Sequence, residues 1–358
     1  MSKFHELTVS DVRQETRDTV SIAFALPPEQ ADEFRYQAGQ HLALRSRIDS
    51  EEVMRTYSIC ASEQEGELRV AVKRQPHGRF SNFINDHLRV GDVLEVMPPQ
   101  GHFCLRFDPD NEKNYLAFAA GSGITPVISM IKTGLATEPN SVFTLVYGNR
   151  STQNMIFREQ LEDLKNTYMD RFTLVSVMSR EQTDIDLFHG HIDSDKCRAL
   201  FAHWIDPADL DEAVICGPES MIKAVSETLR EHGVAAERIH FELFTPPGEA
   251  EERRQRRVAD TTLDHSAAQV VVRVDGGQVE FELPKNSESI LDAGIAAGAD
   301  LPFSCKGGVC STCRARIVEG EVEMDVNYAL EDYEIEAGFV LTCQSYPVSE
   351  RVVVDYDQ

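Results

Sequence analysis

The sequence has no apolar run long enough to cross a bilayer, so we expect neither a membrane-spanning protein nor a membrane partner. Its first residues, MSKFHELTVSDV, lack the apolar core of a secretion signal, which predicts a cytoplasmic protein. Positive charge is also scarce, with 35 Lys and Arg against 60 Asp and Glu and a net charge of −25. Because nucleic acids bind basic surfaces, this deficit argues against a nucleic-acid partner.

The length of 358 residues exceeds what one hydrophobic core usually serves, so several domains are expected. In residues 1–110, short alternating strands separated by turn signals predict an antiparallel β-barrel or sandwich. In residues 111–245, strands alternate with helices, which predicts an α/β domain with a parallel sheet. Residues 246–267 combine Pro, Gly and charge and are predicted to be a linker, and residues 268–358 form the last domain.

The last domain is strongly acidic, with 17 acidic and 6 basic residues between positions 268 and 358. Two interpretations stay open for this surface. It can simply keep the protein in solution, or it can be a docking face for a basic partner that is attracted over long range.

Four of the eight cysteines are grouped near the C-terminus in a pattern that predicts a redox centre. Cys305, Cys310 and Cys313 have the spacing C-x4-C-x2-C in the run CKGGVCSTCR, and Cys343 follows at a distance. This is the plant-type [2Fe–2S] spacing, and the glycines at 307 and 308 allow backbone N–H groups to turn towards sulfur. The small residues Ser304, Ser311 and Thr312 add donors.

Zinc and disulfide alternatives fit this pattern less well. A structural zinc site usually has two pairs of closely spaced ligands, and only Cys310 and Cys313 form such a pair. A thioredoxin-like dithiol opens a helix after a strand, whereas this run follows a predicted helix.

Three further motifs predict nucleotide binding. GSGITP, from Gly121 to Pro126, joins a buried strand to a helix, where glycines let a pyrophosphate approach the helix N-terminus. RTYS, from Arg55 to Ser58, offers a charge for phosphate and a ring for stacking. GRFS, from Gly78 to Ser81, opens the single predicted helix of the barrel and is a second candidate anion site. A packing turn is the competing interpretation of GSGITP, and an ordinary strand with an exposed arginine is that of RTYS.

Together the motifs, in this order, resemble ferredoxin–NADP reductase-like flavoproteins fused to a C-terminal plant-type ferredoxin. Within that family, the runs VMPPQGHF, AAGSGITP and DLPFSCKGGVCSTC resemble the reductase components of multicomponent phenylacetyl-CoA epoxidases. The resemblance implies a FAD-binding β-barrel, an NADPH-binding α/β domain and an α+β ferredoxin domain of the β-grasp type. It also implies FAD, NADPH and a [2Fe–2S] cluster as cofactors and a di-iron oxygenase as the partner.

The resemblance also implies a role for individual residues. Ser58, Cys216 and Glu242 would be the catalytic set. The FAD-binding residues would be Arg55, Thr56, Tyr57, Ser58, Val72, Lys73, Gly78, Arg79, Phe80, Ser81 and Phe244. The residues for the nicotinamide nucleotide would be Gly121, Gly123, Thr125, Pro126, Arg150, Ser179, Arg180, Gly217 and Pro218. The cluster ligands would be Cys305, Cys310, Cys313 and Cys343.

The preference for NADPH depends on the ends of two predicted strands. After TLVYGN, Arg150 stands where a ribose-binding acidic residue would favour NADH, and the run SREQ resembles the 2′-phosphate contact of plant-type reductases. Glu181, directly after Arg180, opposes this interpretation because its charge would repel a phosphate.

The resemblance implies that a hydride from NADPH reduces the flavin, which passes single electrons to the cluster and so to the oxygenase. The alternative is an oxygenase of another aromatic or alkane system. Two different classes stay open from the sequence: a redox sensor that binds flavin and cluster without turnover, and a zinc-stabilised binding module.

Overall fold

The computed structural model describes residues 4–244, 257–260, 262–303, 305–330 and 332–358. The chain forms two compact units, Phe4–Phe244 and a second within Thr245–Gln358. The first unit contains two sheets and the second contains a mixed sheet with a small companion sheet. Among the described residues, no helix is both long and apolar enough to span a membrane.

The first sheet is an antiparallel barrel of six strands in the order β4-β3-β6-β1-β2-β5. An isolated bridge between Ile59 and Val70 joins the two ends of this order and closes the barrel. Apolar side chains such as Leu7, Leu42 and Leu94 fill its interior. The elements are β1 (His5–Thr16), β2 (Thr19–Ala25), β3 (His41–Ile48), β4 (Glu51–Ser58), β5 (Leu68–Lys73), α1 (Arg79–Asp86) and β6 (Val93–Val96).

The second sheet has five parallel strands in the order β11-β10-β7-β8-β9. Its strands are apolar along almost their whole length because helices cover a parallel sheet on both faces. Helix α2 is buried on nearly every side, which explains its lack of a polar face. The elements are β7 (Asn114–Ala120), α2 (Ile124–Thr137), β8 (Val142–Asn149), α3 (Arg158–Thr167), β9 (Phe172–Met178), α4 (Ser194–His203), β10 (Glu212–Gly217), α5 (Glu219–Glu231) and β11 (Ile239–Leu243).

The second unit has a mixed five-stranded sheet in the order β13-β12-β18-β14-β16 and a two-stranded sheet of β15 and β17. The Ser289 hydroxyl caps α6 by accepting from the Asp292 N–H at 3.1 Å. Leu291 of α6 and Val352 of the sheet belong to one core. The elements are β12 (Ala267–Val274), β13 (Gly277–Pro284), α6 (Ile290–Ala296), β14 (Arg314–Glu319), β15 (Val322–Met324), α7 (Asp332–Glu336), β16 (Phe339–Leu341), β17 (Ser345–Pro347) and β18 (Arg351–Asp355).

The predicted fold class is confirmed, and the structure adds two helices that the sequence did not predict. Helix α1 spans Arg79–Asp86 and so begins within the GRFS motif. Helices α4 and α7 were not predicted, because α4 carries a polar first turn and α7 has only five residues. Of the predicted linker, residues 246–256 and residue 261 lie outside the described residues, as do Thr245 and Ser304.

The described end of the predicted linker contacts the last domain. The Arg257 guanidinium pairs with the Asp325 carboxylate and lies 4.4 Å from the centre of the Tyr346 ring. Further along, the Lys285 ammonium pairs with Asp264 at 3.0 Å. Arg257, the last residue of the basic run RRQRR, is therefore held by an acidic residue of its own unit.

Candidate functional site

The cysteine loop lies between α6 and β14, and strand pairing brings Cys343 to it. Strands β14 and β16 are antiparallel, with Arg314 opposite Leu341, so the residues that precede β14 meet those that follow β16. The Thr342 hydroxyl accordingly donates to the Cys313 carbonyl oxygen at 2.9 Å, and its N–H donates to the same oxygen at 3.2 Å. The distant fourth cysteine thus stands beside the third.

Backbone N–H groups inside the loop are directed at sulfur, as the glycines predicted. The Gly307 N–H donates to Cys305 Sγ at 3.3 Å, and the Cys305 N–H donates to Cys310 Sγ at 3.4 Å. This tight path requires left-handed backbone, with φ of 51° at Lys306 and 78° at Gly308. A Cβ at Gly308 would also lie 3.1 Å from Gln344 Cγ, so the position suits glycine on both counts.

The four thiols influence one another as a single group. Hydrogen bonding to Cys310 lowers the pKa of Cys305, while hydrogen bonding to Cys305 and burial raise the pKa of Cys310. The pKa of Cys343 is raised by a hydrogen bond to Cys313, by burial and by the charges of the other three sulfurs. Thiolates held this close together repel one another unless positive charge lies between them. The iron ions of an iron–sulfur cluster would supply that charge, and the thiols would lose their protons on binding them. The donor set therefore fits the cluster.

The barrel residues predicted to bind FAD lie on three elements, the end of β4, the end of β5 and the start of α1. Arg55, Thr56, Tyr57 and Ser58 end β4, and the Tyr57 ring stacks on Phe80 of α1 with centroids 6.0 Å apart. Val72, which is buried, and Lys73 end β5. Among the described residues, no side chain caps the start of α1 at Gly78, so its first N–H groups fit an anionic phosphate.

Three of the predicted FAD residues already have protein partners. The Arg79 guanidinium pairs with Glu51 and donates to the Ile48 carbonyl oxygen at 2.9 Å. The Ser81 hydroxyl accepts from the Gln75 N–H at 3.1 Å. Arg55 is exposed and donates to the carbonyl oxygen of Met54 at 2.6 Å. Arg79 and Ser81 thus shape the turn that opens α1.

The predicted catalytic residues come together where the barrel meets the parallel sheet. The Ser58 hydroxyl at the end of β4 lies 3.5 Å from Glu242 Oε2 on β11. Glu242 is the neighbour of Cys216 in the parallel pairing of β10 and β11. Burial, and next the charge of Glu242, raises the pKa of Cys216 well above its ordinary value. A carboxylate, a hydroxyl and a neutral thiol therefore share this junction.

Cys104 belongs near this junction but was not predicted. Burial, then the charges of Glu242 and Glu63, raises the pKa of its thiol to about 12. Cys104 lies in the connection between the barrel and the parallel sheet, directly after the run VMPPQGHF. Only the fold could reveal its position.

The GSGITP loop lies at the carboxyl end of β7, next to Cys216 and Gly217 at the end of β10. Gly121 has a left-handed φ of 55°, and its carbonyl oxygen accepts from the Tyr147 hydroxyl at 2.9 Å. The Thr125 hydroxyl donates to the Ser122 carbonyl oxygen at 3.0 Å, and Pro126 lies in the first turn of α2. No described side chain caps the start of α2, so this loop fits a nucleotide pyrophosphate.

Replacing Gly123 with alanine is expected to weaken binding of the nicotinamide nucleotide. A Cβ at this position would lie 2.2 Å from the Cys216 carbonyl oxygen, so the loop would have to move away from β10. A misplacement of about 1 Å can lower catalytic efficiency about 100-fold, and we expect a loss of that size in kcat/KM for the nucleotide.

Gly277→Ala is the matched control, because its new Cβ makes only an ordinary contact, 3.5 Å from the Val274 carbonyl oxygen. Flavin absorbance should be unchanged in both variants. Unchanged nucleotide kinetics in Gly123→Ala would contradict the assignment of this loop.

The predicted phosphate-binding arginines stand side by side at the same edge of the parallel sheet. The Ser179 N–H donates to the Asn149 carbonyl oxygen at 2.9 Å, and the Arg180 N–H donates to the Arg150 carbonyl oxygen at 2.8 Å. Both arginine side chains are exposed. At the opposite side of the sheet, Gly217 ends β10 and Pro218 precedes α5, and Phe244 packs on the core of this domain.

Comparison with protein families finds three models along the chain. An oxidoreductase FAD-binding domain matches residues 6–105, and an oxidoreductase NAD-binding domain matches residues 118–227. A 2Fe-2S iron–sulfur cluster binding domain matches residues 272–348. These matches support FAD, a pyridine nucleotide and a [2Fe–2S] cluster.

Curated relatives match the chain over nearly its whole length. One subunit of the 1,2-phenylacetyl-CoA epoxidase of Escherichia coli K12 is 47% identical over 357 residues, which is 100% of this chain and 99% of that protein. A second relative is the ferredoxin reductase component of the 3-ketosteroid-9-alpha-monooxygenase of Rhodococcus rhodochrous. It is 36% identical over 98% of this chain and 96% of that protein.

One solved structure has the same fold over its full length. Phthalate dioxygenase reductase, described as a modular structure for electron transfer from pyridine nucleotides to [2Fe-2S], covers 98% of both chains with a TM-score of 0.60 and 24% identity. The order of barrel, parallel sheet and cluster domain is therefore shared with a known electron-transfer protein.

Proposed function

Since this chain belongs to the flavin- and [2Fe–2S]-containing reductase components of multicomponent oxygenases, we propose that it takes electrons from NADPH and delivers them to the oxygenase of a phenylacetyl-CoA epoxidase. The use of NADPH is supported by Arg150 and Arg180, two exposed cations at the ends of adjacent strands. Two guanidinium groups suit the 2′-phosphate that distinguishes NADPH from NADH.

The oxygenase half is supported by the similarity to the E. coli epoxidase component, which includes the whole cluster domain. A reductase must present its cluster to its partner, so similarity over that domain bears on partner choice. Relatives of lower identity serve a ketosteroid monooxygenase and a glycine betaine monooxygenase, which makes those systems the competing partners.

The same proposal assigns the residues of each site. FAD, when bound, accepts a hydride and releases electrons singly, a task that neither nucleotide nor cluster can perform alone. Tyr57 and the start of α1 would hold FAD. Ser58 and Glu242 would lie next to it, where the barrel meets the parallel sheet. Cys305, Cys310, Cys313 and Cys343 would hold the cluster and fix its distance from the surface.

The test is reconstitution of the full electron path. The purified reductase is mixed with the purified epoxidase oxygenase, phenylacetyl-CoA and either NADPH or NADH, and epoxide is measured by mass spectrometry. We expect epoxide with NADPH, a lower rate with NADH, and none without the reductase. Epoxide formation at equal rates with both nucleotides would contradict the NADPH assignment alone.

Two other outcomes would separate the competing functions. Efficient coupling to a ketosteroid or betaine oxygenase without epoxide formation would replace the proposed partner and leave the reductase class in place. Bound flavin and cluster without steady-state reduction of cytochrome c would favour a redox sensor.

A further inference from the structure

The acidic residue Glu181, which opposed an NADPH preference in the sequence, lies next to the two arginines and yet is held by a different residue. The Thr152 N–H donates to Glu181 Oε2 at 2.7 Å, and the Thr152 hydroxyl donates to Oε1 at 2.9 Å. Each carboxylate oxygen thus accepts one hydrogen bond. These bonds lower the pKa of Glu181, so its carboxylate stays charged at neutral pH.

The position of this contact follows from the parallel pairing of β8 and β9. Thr152 comes two residues after Arg150, and Glu181 comes directly after Arg180. Because the strand ladder continues through the backbones of the two arginines, the residues just beyond them also face each other. Among the described residues, no ion pair joins Glu181 to Arg150 or to Arg180, so the carboxylate neutralises neither guanidinium.

A carboxylate released at this edge would change the chemistry of the site in two ways. It could pair with one of the arginines, which would then bind a phosphate less well. It could also accept hydrogen bonds from the 2′-hydroxyl of an unphosphorylated ribose, which is how acidic residues at such strand ends select NADH. Both changes favour NADH over NADPH.

We propose that Thr152 is a specificity-determining positioning residue, which binds the Glu181 carboxylate and keeps it from competing for the two arginines. The inference rests on the proposed use of NADPH. It explains how the run SREQ can serve a phosphate although its third residue is acidic. Thr152 contacts Glu181 and acts on the nucleotide through it.

The test begins with Thr152→Val, which removes the hydroxyl donor and keeps the branched shape and the backbone N–H. Hydrogen bonds to charged groups are stronger than those between neutral groups, so the ratio of kcat/KM for NADPH to that for NADH should fall about tenfold. The change should be in KM for NADPH, with kcat unchanged. Titration with adenosine 2′,5′-bisphosphate should show a similar loss of affinity, whereas affinity for 5′-AMP should not decrease.

Two further variants separate charge from packing. Thr152→Val combined with Glu181→Gln should restore the wild-type ratio and the affinity for adenosine 2′,5′-bisphosphate, because a neutral amide does not compete for arginine. Thr183→Val is the matched control: its hydroxyl donates to the Ile185 carbonyl oxygen at 2.9 Å in the same loop, without contact to Glu181. This control should keep the wild-type ratio.

The outcomes distinguish the inference from the function on which it rests. Wild-type protein that prefers NADH would overturn the NADPH proposal and the role of Thr152 together. Wild-type protein that prefers NADPH, with Thr152→Val unchanged in both ratio and affinity, would overturn the role of Thr152 alone. A lowered ratio that Glu181→Gln does not reverse would also overturn it, because loop packing would then set the preference.

Discussion

Replacing Cys343 with alanine is expected to give a protein that keeps its flavin and loses its [2Fe–2S] cluster. Plant-type clusters are held by four thiolates, and the described residues next to Cys343 offer no substitute. Its neighbour Gln344 donates to the Lys306 carbonyl oxygen at 3.0 Å, and its neutral side chain cannot replace a thiolate ligand. Electron transfer to the oxygenase should therefore stop, while NADPH should still reduce ferricyanide through the flavin.

The measurements are iron content, the electron paramagnetic resonance signal of the dithionite-reduced protein, and the two reductase activities. Cys197→Ala is the matched control, because Cys197 is a fully buried thiol on α4 of the nucleotide domain. It should keep iron and signal. A Cys343→Ala protein with a full complement of iron would mean that the fourth ligand lies elsewhere, and bound zinc in the wild-type protein would support the binding-module interpretation.

Replacing Glu242 with glutamine is expected to slow hydride transfer about 100-fold, the usual cost of removing one electrostatic group from a transition state. In the proposed reaction the nicotinamide ring would gain positive charge as the hydride leaves, and a carboxylate beside Ser58 and Cys216 would stabilise that charge. Glutamine keeps the shape and removes the charge. The loss should be in the rate of flavin reduction, measured by stopped-flow absorbance, with the KM for NADPH nearly unchanged.

Glu242→Asp and Glu237→Gln are the controls for this prediction. Aspartate keeps the charge and should retain more of the rate than glutamine does. Glu237 is an exposed residue shortly before β11, so its replacement makes the same chemical change away from the junction and should have no effect. Equal rates in Glu242→Gln and the wild-type protein would remove Glu242 from the catalytic set.

The local sequence was sufficient to predict most elements of the fold. Buried parallel strands such as β7 are nearly continuous apolar runs, and α2 follows a loop that begins and ends with glycine residues. Such signals depend only on neighbours in the chain, so they can be read without the tertiary structure. Helix α7 gave no such signal, because five residues are too few to show a helical period.

Long-range partners could not be predicted in the same way. Cys104 lies close enough to Glu242 for the carboxylate to raise its pKa, although the two residues are far apart in the chain. Arg257 belongs to a basic run that was interpreted as linker, yet it pairs with Asp325. Each of these contacts forms only when separate strands and loops meet.

The sequence by itself determined the kind of chemistry: the spacing of Cys305, Cys310 and Cys313 indicated iron, and the glycines of GSGITP indicated a nucleotide. These signals are local because three of the four predicted cluster ligands lie in one short loop, as does the predicted pyrophosphate site. The tertiary structure alone decided what Glu181 does. From the sequence alone, the negative charge of Glu181 beside two arginines opposes phosphate binding. In the structure, parallel pairing of β8 and β9 brings the Thr152 N–H within 2.7 Å of the Glu181 carboxylate. The direction of a side chain depends on partners from another strand, and that information is absent from the local sequence.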